Sequence, residues 1–124
     1  MIVADTDVLI DALRGDQEAV ERVTRGLNLG SLYTTAVTAF ELASGAKGYH
    51  QAVKIGHLLD ALPVLAFDEP SSARAVVLRR RLEGRGRGIG MADYLIAGVC
   101  LCRDAALWTR NRKHFGRVSG LRLI

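Results

Sequence analysis

Cysteine is nearly absent: Cys100 and Cys102 are the only two in 124 residues. A lone pair of thiols cannot form a disulfide framework. Their spacing is not C-x-x-C, and no second Cys or His pair completes a zinc site. They read as two buried thiols in a reducing compartment. Proline is as scarce, at two residues, and no repeat, low-complexity tract or long linker interrupts the chain. Long apolar runs are missing too. The run from Tyr94 to Cys102 is nine residues, under half of the ~20 that span a bilayer. The N-terminus, MIVADTDVLI, carries acids where a signal peptide needs Lys or Arg. The expectation is a cytoplasmic protein with no membrane role. Aromatics are 6% of the chain, which leaves few platforms for base stacking.

What is present is the balance of a globular protein. Apolar residues make up 49% and charged residues 24%. The length suits one domain, residues 1–124, with a core large enough to need no staple. Charge is unevenly divided. Residues 1–62 carry 8 acids and 5 bases, whereas residues 63–124 carry 5 acids and 12 bases. Such asymmetry suggests a surface that faces a polyanion.

Short apolar runs alternate with helical periods. Ile2-Val3-Ala4 reads as a strand, followed by helices over 8–14 and 17–25. Leu32-Tyr33-Thr34 is a second strand, followed by helices over 36–44 and 49–61. Residues 63–67 form a third strand. Asp68-Glu69-Pro70 opens a helix to about Gly84, an acid cap with Pro in the first turn. Four Gly between Gly84 and Gly90 make a loop. Residues 92–102 form a helix apolar on nearly every side, hence central. Residues 106–109 are a fourth strand and 120–124 a last one. Alternating strands and helices predict an α/β/α sandwich on a mainly parallel sheet of about five strands. Ligands in such folds sit at the carboxyl ends of the strands.

The acids collect at that edge. Asp5 follows the first strand, Glu41 lies on the helix after the second, Asp93 opens the buried helix, and Asn111 follows the fourth strand. Two unit charges ~4 Å apart repel by about 4 kcal/mol at an effective dielectric of 20. Three carboxylates together must protonate, splay apart or bind a cation. Oxygen donors without Cys select a hard ion, Mg²⁺ or Mn²⁺, which can activate water and hold a phosphate oxygen. Each acid also has a plain structural use. Asp5 would solvate a strand end, Glu41 would close a capping box begun by Thr38, and Asp93 would favour a helix N-terminus. Asp7 is read as the N-cap of the first helix, with support of the site as a second role.

Four segments, Asp5-Thr6-Asp7-Val8-Leu9-Ile10, Thr38-Ala39-Phe40-Glu41-Leu42, Gly90-Met91-Ala92-Asp93-Tyr94 and Thr109-Arg110-Asn111 with His114-Phe115, closely resemble a PIN-domain ribonuclease of the VapC toxin type. The resemblance spans nearly the whole chain in order. It implies a PIN-like fold and an endoribonuclease dependent on Mg²⁺ or Mn²⁺. By position Asp5, Glu41 and Asp93 match the family's metal-binding acids. Thr6 and Thr109 match supporting hydroxyls. Asn111 stands where many PIN nucleases carry a fourth acid, which leaves the number of ions open. The resemblance also implies an RNA substrate, a homodimer, and an antitoxin whose C-terminal segment covers the groove.

The reaction expected is metal-assisted in-line hydrolysis, with Asn111 donating to water or a phosphate oxygen. His114 is placed by Phe115 in a structural turn rather than as a base. Arg110, Arg112, Lys113, Arg85 and Arg87 are candidate RNA contacts. Two alternatives remain. The Asp5-Thr6-Asp7 opening approaches the acid-x-acid motif of haloacid-dehalogenase-like phosphatases, although the chain lacks a late paired-acid motif. A non-catalytic PIN-like module that binds RNA or protein is the other.

Overall fold

The computed structural model describes residues 1–124. The elements are β1 (Ile2–Ala4), α1 (Thr6–Leu13), α2 (Gln17–Leu29), β2 (Leu32–Thr35), α3 (Ala36–Ser44), α4 (Gly48–Ala61), β3 (Val64–Leu65), α5 (Glu69–Gly84), α6 (Met91–Cys102), β4 (Ala106–Trp108) and α7 (Arg112–Phe115). The strands form one parallel sheet in the order β3-β2-β1-β4. The expected α/β/α arrangement is present, with four strands rather than about five. The last segment meets β4 through a single parallel bridge, Leu107 to Leu123. Gly120 at φ +83° turns the chain just before it, and too little length remains to extend the ladder. The third strand is likewise two residues long, not five.

Side-chain alternation along the strands splits the core in two. Val3 and Leu107 face α5, α6 and α7, among Leu78, Tyr94, Ile96 and Phe115. Ala4 and Trp108 face α1–α4, among Leu9, Val23, Leu32 and Leu42. The buried α6 confirms its apolar reading: Tyr94 and Ile96 through Cys100 are all buried. Burial pushes the Cys100 thiol up to about 12, so it packs as an inert apolar group. Cys102 is half-buried rather than buried. No helix is long and apolar enough to cross a membrane.

Helix starts differ from the reading at two acids. Asp5, not Asp7, caps α1, its side chain accepting from Thr6 N. β1 runs straight into α1 with no linker, so the strand-end residue takes the cap. Thr35, not Thr38, caps α3 and accepts from Thr38 N at 3.1 Å. Glu41 is therefore past the first turn and serves in no capping box. Asp68 caps α5 as expected. Its hydrogen bonds from Ser71, then Arg103 nearby, hold its carboxyl below the usual range.

Helix α6 sits against α5 at Gly98, where a Cβ would stand 2.6 Å from the Ser71 carbonyl oxygen and 3.0 Å from the Ala75 Cβ. Backbone cannot yield there as a flexible side chain would. Gly98→Ala should destabilise the fold by about 1–3 kcal/mol, read as a lower urea midpoint with unchanged slope. An unchanged midpoint would show that the two helices separate freely.

Candidate active site

The sheet's carboxyl edge gathers the acids because the β1–β4 ladder continues one residue past the strands. Asp5 N donates to Trp108 O at 2.9 Å. That register sets Asp5 beside Thr109, and Thr109 Oγ1 donates to Asp5 Oδ2 at 2.7 Å. The other Asp5 oxygen accepts from Thr6 N at 2.8 Å. Asp5 is only 6% exposed. Burial is the main cause that raises its pKa from 3.8 to about 6. The charges of Asp7 and Asp93 push the same way, and the bonds from Thr109 and Thr6 oppose them.

Thr6 joins Glu41 to this centre. Its hydroxyl donates to Glu41 Oε1 at 2.7 Å, and Thr38 Oγ1 lies 3.1 Å away. Since the carboxylate can only accept, Thr6 spends its one proton there and takes its second bond from Thr38. On the other side, Asn111 N donates to Thr109 Oγ1 at 2.9 Å. Asn111 caps α7 through His114 N, and its amide nitrogen lies 3.2 Å from His114 Nδ1. The same Nδ1 lies 3.1 Å from Asp93 Oδ2. A carboxylate accepts and an amide NH₂ donates. A proton on Nδ1 therefore serves Asp93 and frees the Asn111 NH₂. The path Glu41–Thr6–Asp5–Thr109–Asn111–His114–Asp93, through side chains and the backbone N–H groups of Thr6, Asn111 and His114, thus joins α3, α1, the residues just past β1 and β4, α7 and α6. Asp5, Glu41, Asp93, Asn111, Thr6 and Thr109 all lie on it.

Asp7 stands at the margin. Its Oδ2 accepts from Arg110 N at 3.0 Å, with Thr109 Oγ1 at 3.4 Å, while its buried Oδ1 has no partner. Arg110, expected to reach phosphate, holds Asp11 through both carboxylate oxygens, at 2.7 and 3.2 Å. Arg112 and Lys113 are exposed on α7. Arg85 and Arg87 are exposed in the loop before α6, where Arg117 ties the Arg87 and Gly88 carbonyls. Reasoning from sequence undervalued His114. The signal was its spacing: three residues after Asn111 is one helical turn, which returns the side chain to the same edge.

The donor set suits a hard divalent ion. It is all oxygen, its most buried carboxylate is repelled by two like charges, and Asp7 beside it keeps a buried oxygen, Oδ1, with no hydrogen-bond partner. As arranged, no three acidic, His or Cys side chains already stand grouped as ligands. Glu41, held by Thr6, would have to turn toward the ion.

The PIN domain family matches residues 2–121. The chain belongs to the PIN-domain family. Among its relatives, this PIN domain is 30% identical over 122 residues to the tRNA(fMet)-specific endonuclease VapC of Shigella flexneri, covering 95% of this chain and 92% of that one. It is 33% identical over 115 residues to ribonuclease VapC10 of Mycobacterium tuberculosis, covering 93% and 86%. Its fold matches VapBC-1 of nontypeable Haemophilus influenzae at TM-score 0.82 and 26% identity, covering 100% and 97%. It is a PIN domain of the VapC type.

The raised Asp5 pKa makes a stability statement. The folded state keeps this proton to higher pH than the unfolded chain. Without divalent ions, stability therefore falls as pH rises from about 4 through about 6, by about 3 kcal/mol in all. Asp5→Asn should melt above the wild type at neutral pH in EDTA, and the gap should close below about pH 4. Parallel melting curves for the two proteins across that range would contradict the burial penalty.

Proposed function

We propose that this VapC-type PIN domain is an endoribonuclease that depends on Mg²⁺ or Mn²⁺, the toxin of a toxin–antitoxin module. Its substrate is RNA, and the reaction is phosphodiester hydrolysis. The observation that carries the reading is the single hydrogen-bonded path that ties Glu41, Asp5 and Asp93 to one sheet edge. Asp5, Asp93 and Glu41 would hold the ion. When bound, the ion lowers the pKa of a water and offsets charge on the phosphate oxygens. The remaining work belongs to the chain. Thr109 and Thr6 fix both Asp5 oxygens, Thr6 orients Glu41, and His114 holds Asp93. The Asn111 amide is the donor available to a phosphate oxygen. Arg112 and Lys113 attract the flanking phosphates, a contribution weakened by salt.

Asp93→Asn should lower cleavage of total RNA in Mg²⁺ by at least ~10²-fold, the scale of losing a preorganised electrostatic contact. Undiminished cleavage would remove the mechanism. RNA binding with no cleavage by the wild type would identify a non-catalytic module. The phosphatase alternative loses ground to the family match over residues 2–121. The Asp7 carboxylate it needs as acid/base is also engaged by Arg110 N.

The partners proposed are an antitoxin and a second copy of the chain. VapBC proteins are toxin–antitoxin systems, and the match to VapBC-1 supports the former. For the dimer, Phe40 on α3 is 71% exposed and Tyr49 on α4 is 86% exposed. Large apolar side chains on neighbouring helices are candidate interface anchors. Phe40→Asp should shift the mass in light scattering from dimer to monomer. A monomeric wild type at micromolar concentration would refute the dimer. The proposed location is the cytoplasm, a reading supported by the proposed RNA substrate and the two unpaired thiols.

A further inference from the structure

Next to Glu41 lies a cleft of about 450 Å³ between α1, α3 and α4. Its floor is apolar, from Ile10, Leu13 and Leu42, and its walls carry Arg14, Lys47, His50 and Lys54. Arg14, Lys47 and Lys54 are an unusual concentration of cations. Residues 1–62 contain only five Lys and Arg in all, and three of them line this one cleft. Lys54 is fixed in the wall, its Nζ donating to Leu13 O at 2.7 Å across 41 residues. Arg14, Lys47 and His50 are exposed. Glu41, the one acid of the lining, is held by Thr6. The cleft is therefore cationic and shares Glu41 with the carboxylate cluster.

We infer that this cleft is a second RNA subsite, which holds the nucleotides next to the bond being cut. The inference rests on the ribonuclease reading. A polyanion threaded past the acid cluster meets repulsion there unless cations compensate nearby, and the basic half of the chain supplies them only around α7 and the loop before α6. Arg14 and Lys47 supply them beside Glu41, so the backbone is gripped on both flanks of the scissile phosphate. The apolar floor accepts a base or ribose face without reading its identity, as expected of a strand-tracking groove. The volume lies within the usual range of ligand pockets.

The test compares the wild type with Arg14→Ala/Lys47→Ala in Mn²⁺. Both residues are exposed and outside the acid cluster. The measurements are cleavage kinetics and the salt dependence of binding, by anisotropy, of a labelled single-stranded decamer and of a dinucleotide. The double variant should raise KM for the decamer about tenfold and leave kcat within about twofold. It should lower the salt slope by about 1.4, two phosphate contacts at about 0.7 each for a single strand, and leave dinucleotide cleavage unchanged. A decamer carrying 4-thiouridine beside the cut should cross-link to the peptides around Arg14 and Lys47. An unchanged slope and KM, with the wild type cleaving normally, would overturn the subsite and leave the nuclease reading intact. The same null result with weakened binding of the cognate antitoxin would reassign the cleft to a protein segment and also overturn it. Failure of the wild type itself to bind and cut RNA would sink the nuclease reading first, and the subsite with it.

Discussion

A carboxylate at the end of a central strand is the constraint around which this structure is organised. β1 lies between β2 and β4, so the residue that leaves it is covered on both sides before the helix begins. Asp5 sits there with its charge desolvated and with Asp7 and Asp93 repelling it. A Lys or Arg partner would neutralise the site and end its use. The chain instead surrounds the carboxylate with hydroxyl and amide donors, Thr109, Thr6 N and, further out, Thr38 and Asn111 N. Such donors orient an anion without cancelling it. The negative potential is left available to a cation from solution.

Cations are accordingly kept near the cluster and out of it. Two of the arginines with carboxylate partners have structural duties. Arg103 braces Asp68 at the start of α5, and Arg110 ties the segment after β4 to Asp11 on α1. The exposed ones, Arg112 and Lys113 on α7 and Arg14 and Lys47 at the cleft, are those proposed to meet phosphates. A polyanion can then be attracted by the rim while its reacting bond is presented to the acids.

The core decides how well the acids are aimed. Asp93 is in the first turn of α6, and α6 is positioned by packing against α5 at Gly98 and by the burial of Tyr94 and Ile96. Tyr94 also takes part at the edge, since its hydroxyl accepts from Ile89 N in the glycine loop. His114 reaches Asp93 because Phe115, fully buried beside it, anchors α7 to the same core. Placement of the proposed site and apolar packing are thus carried by adjacent residues: Asp93 beside Tyr94, His114 beside Phe115.

Much of this was legible along the chain. The strand, acid, helix pattern at Asp5, the Asp68-Glu69-Pro70 start and the all-round apolar helix ending at Cys102 are local signals, fixed by capping chemistry and periodicity. They determined the α/β class and the edge at which Asp5, Glu41, Asp93 and Asn111 meet. What the tertiary structure decided was the duty of each. Asp7 lost the cap to Asp5 because β1 and α1 share no linker. Glu41 was released from a cap because Thr35 took it. Arg110 turned to Asp11, His114 to Asp93, and Arg14 joined Lys47 across a cleft. The two caps turn on where each strand hands over to its helix, whereas the Arg110, His114 and Arg14–Lys47 placements depend on groups brought together from distant positions, settled by distance in space, which local sequence does not encode.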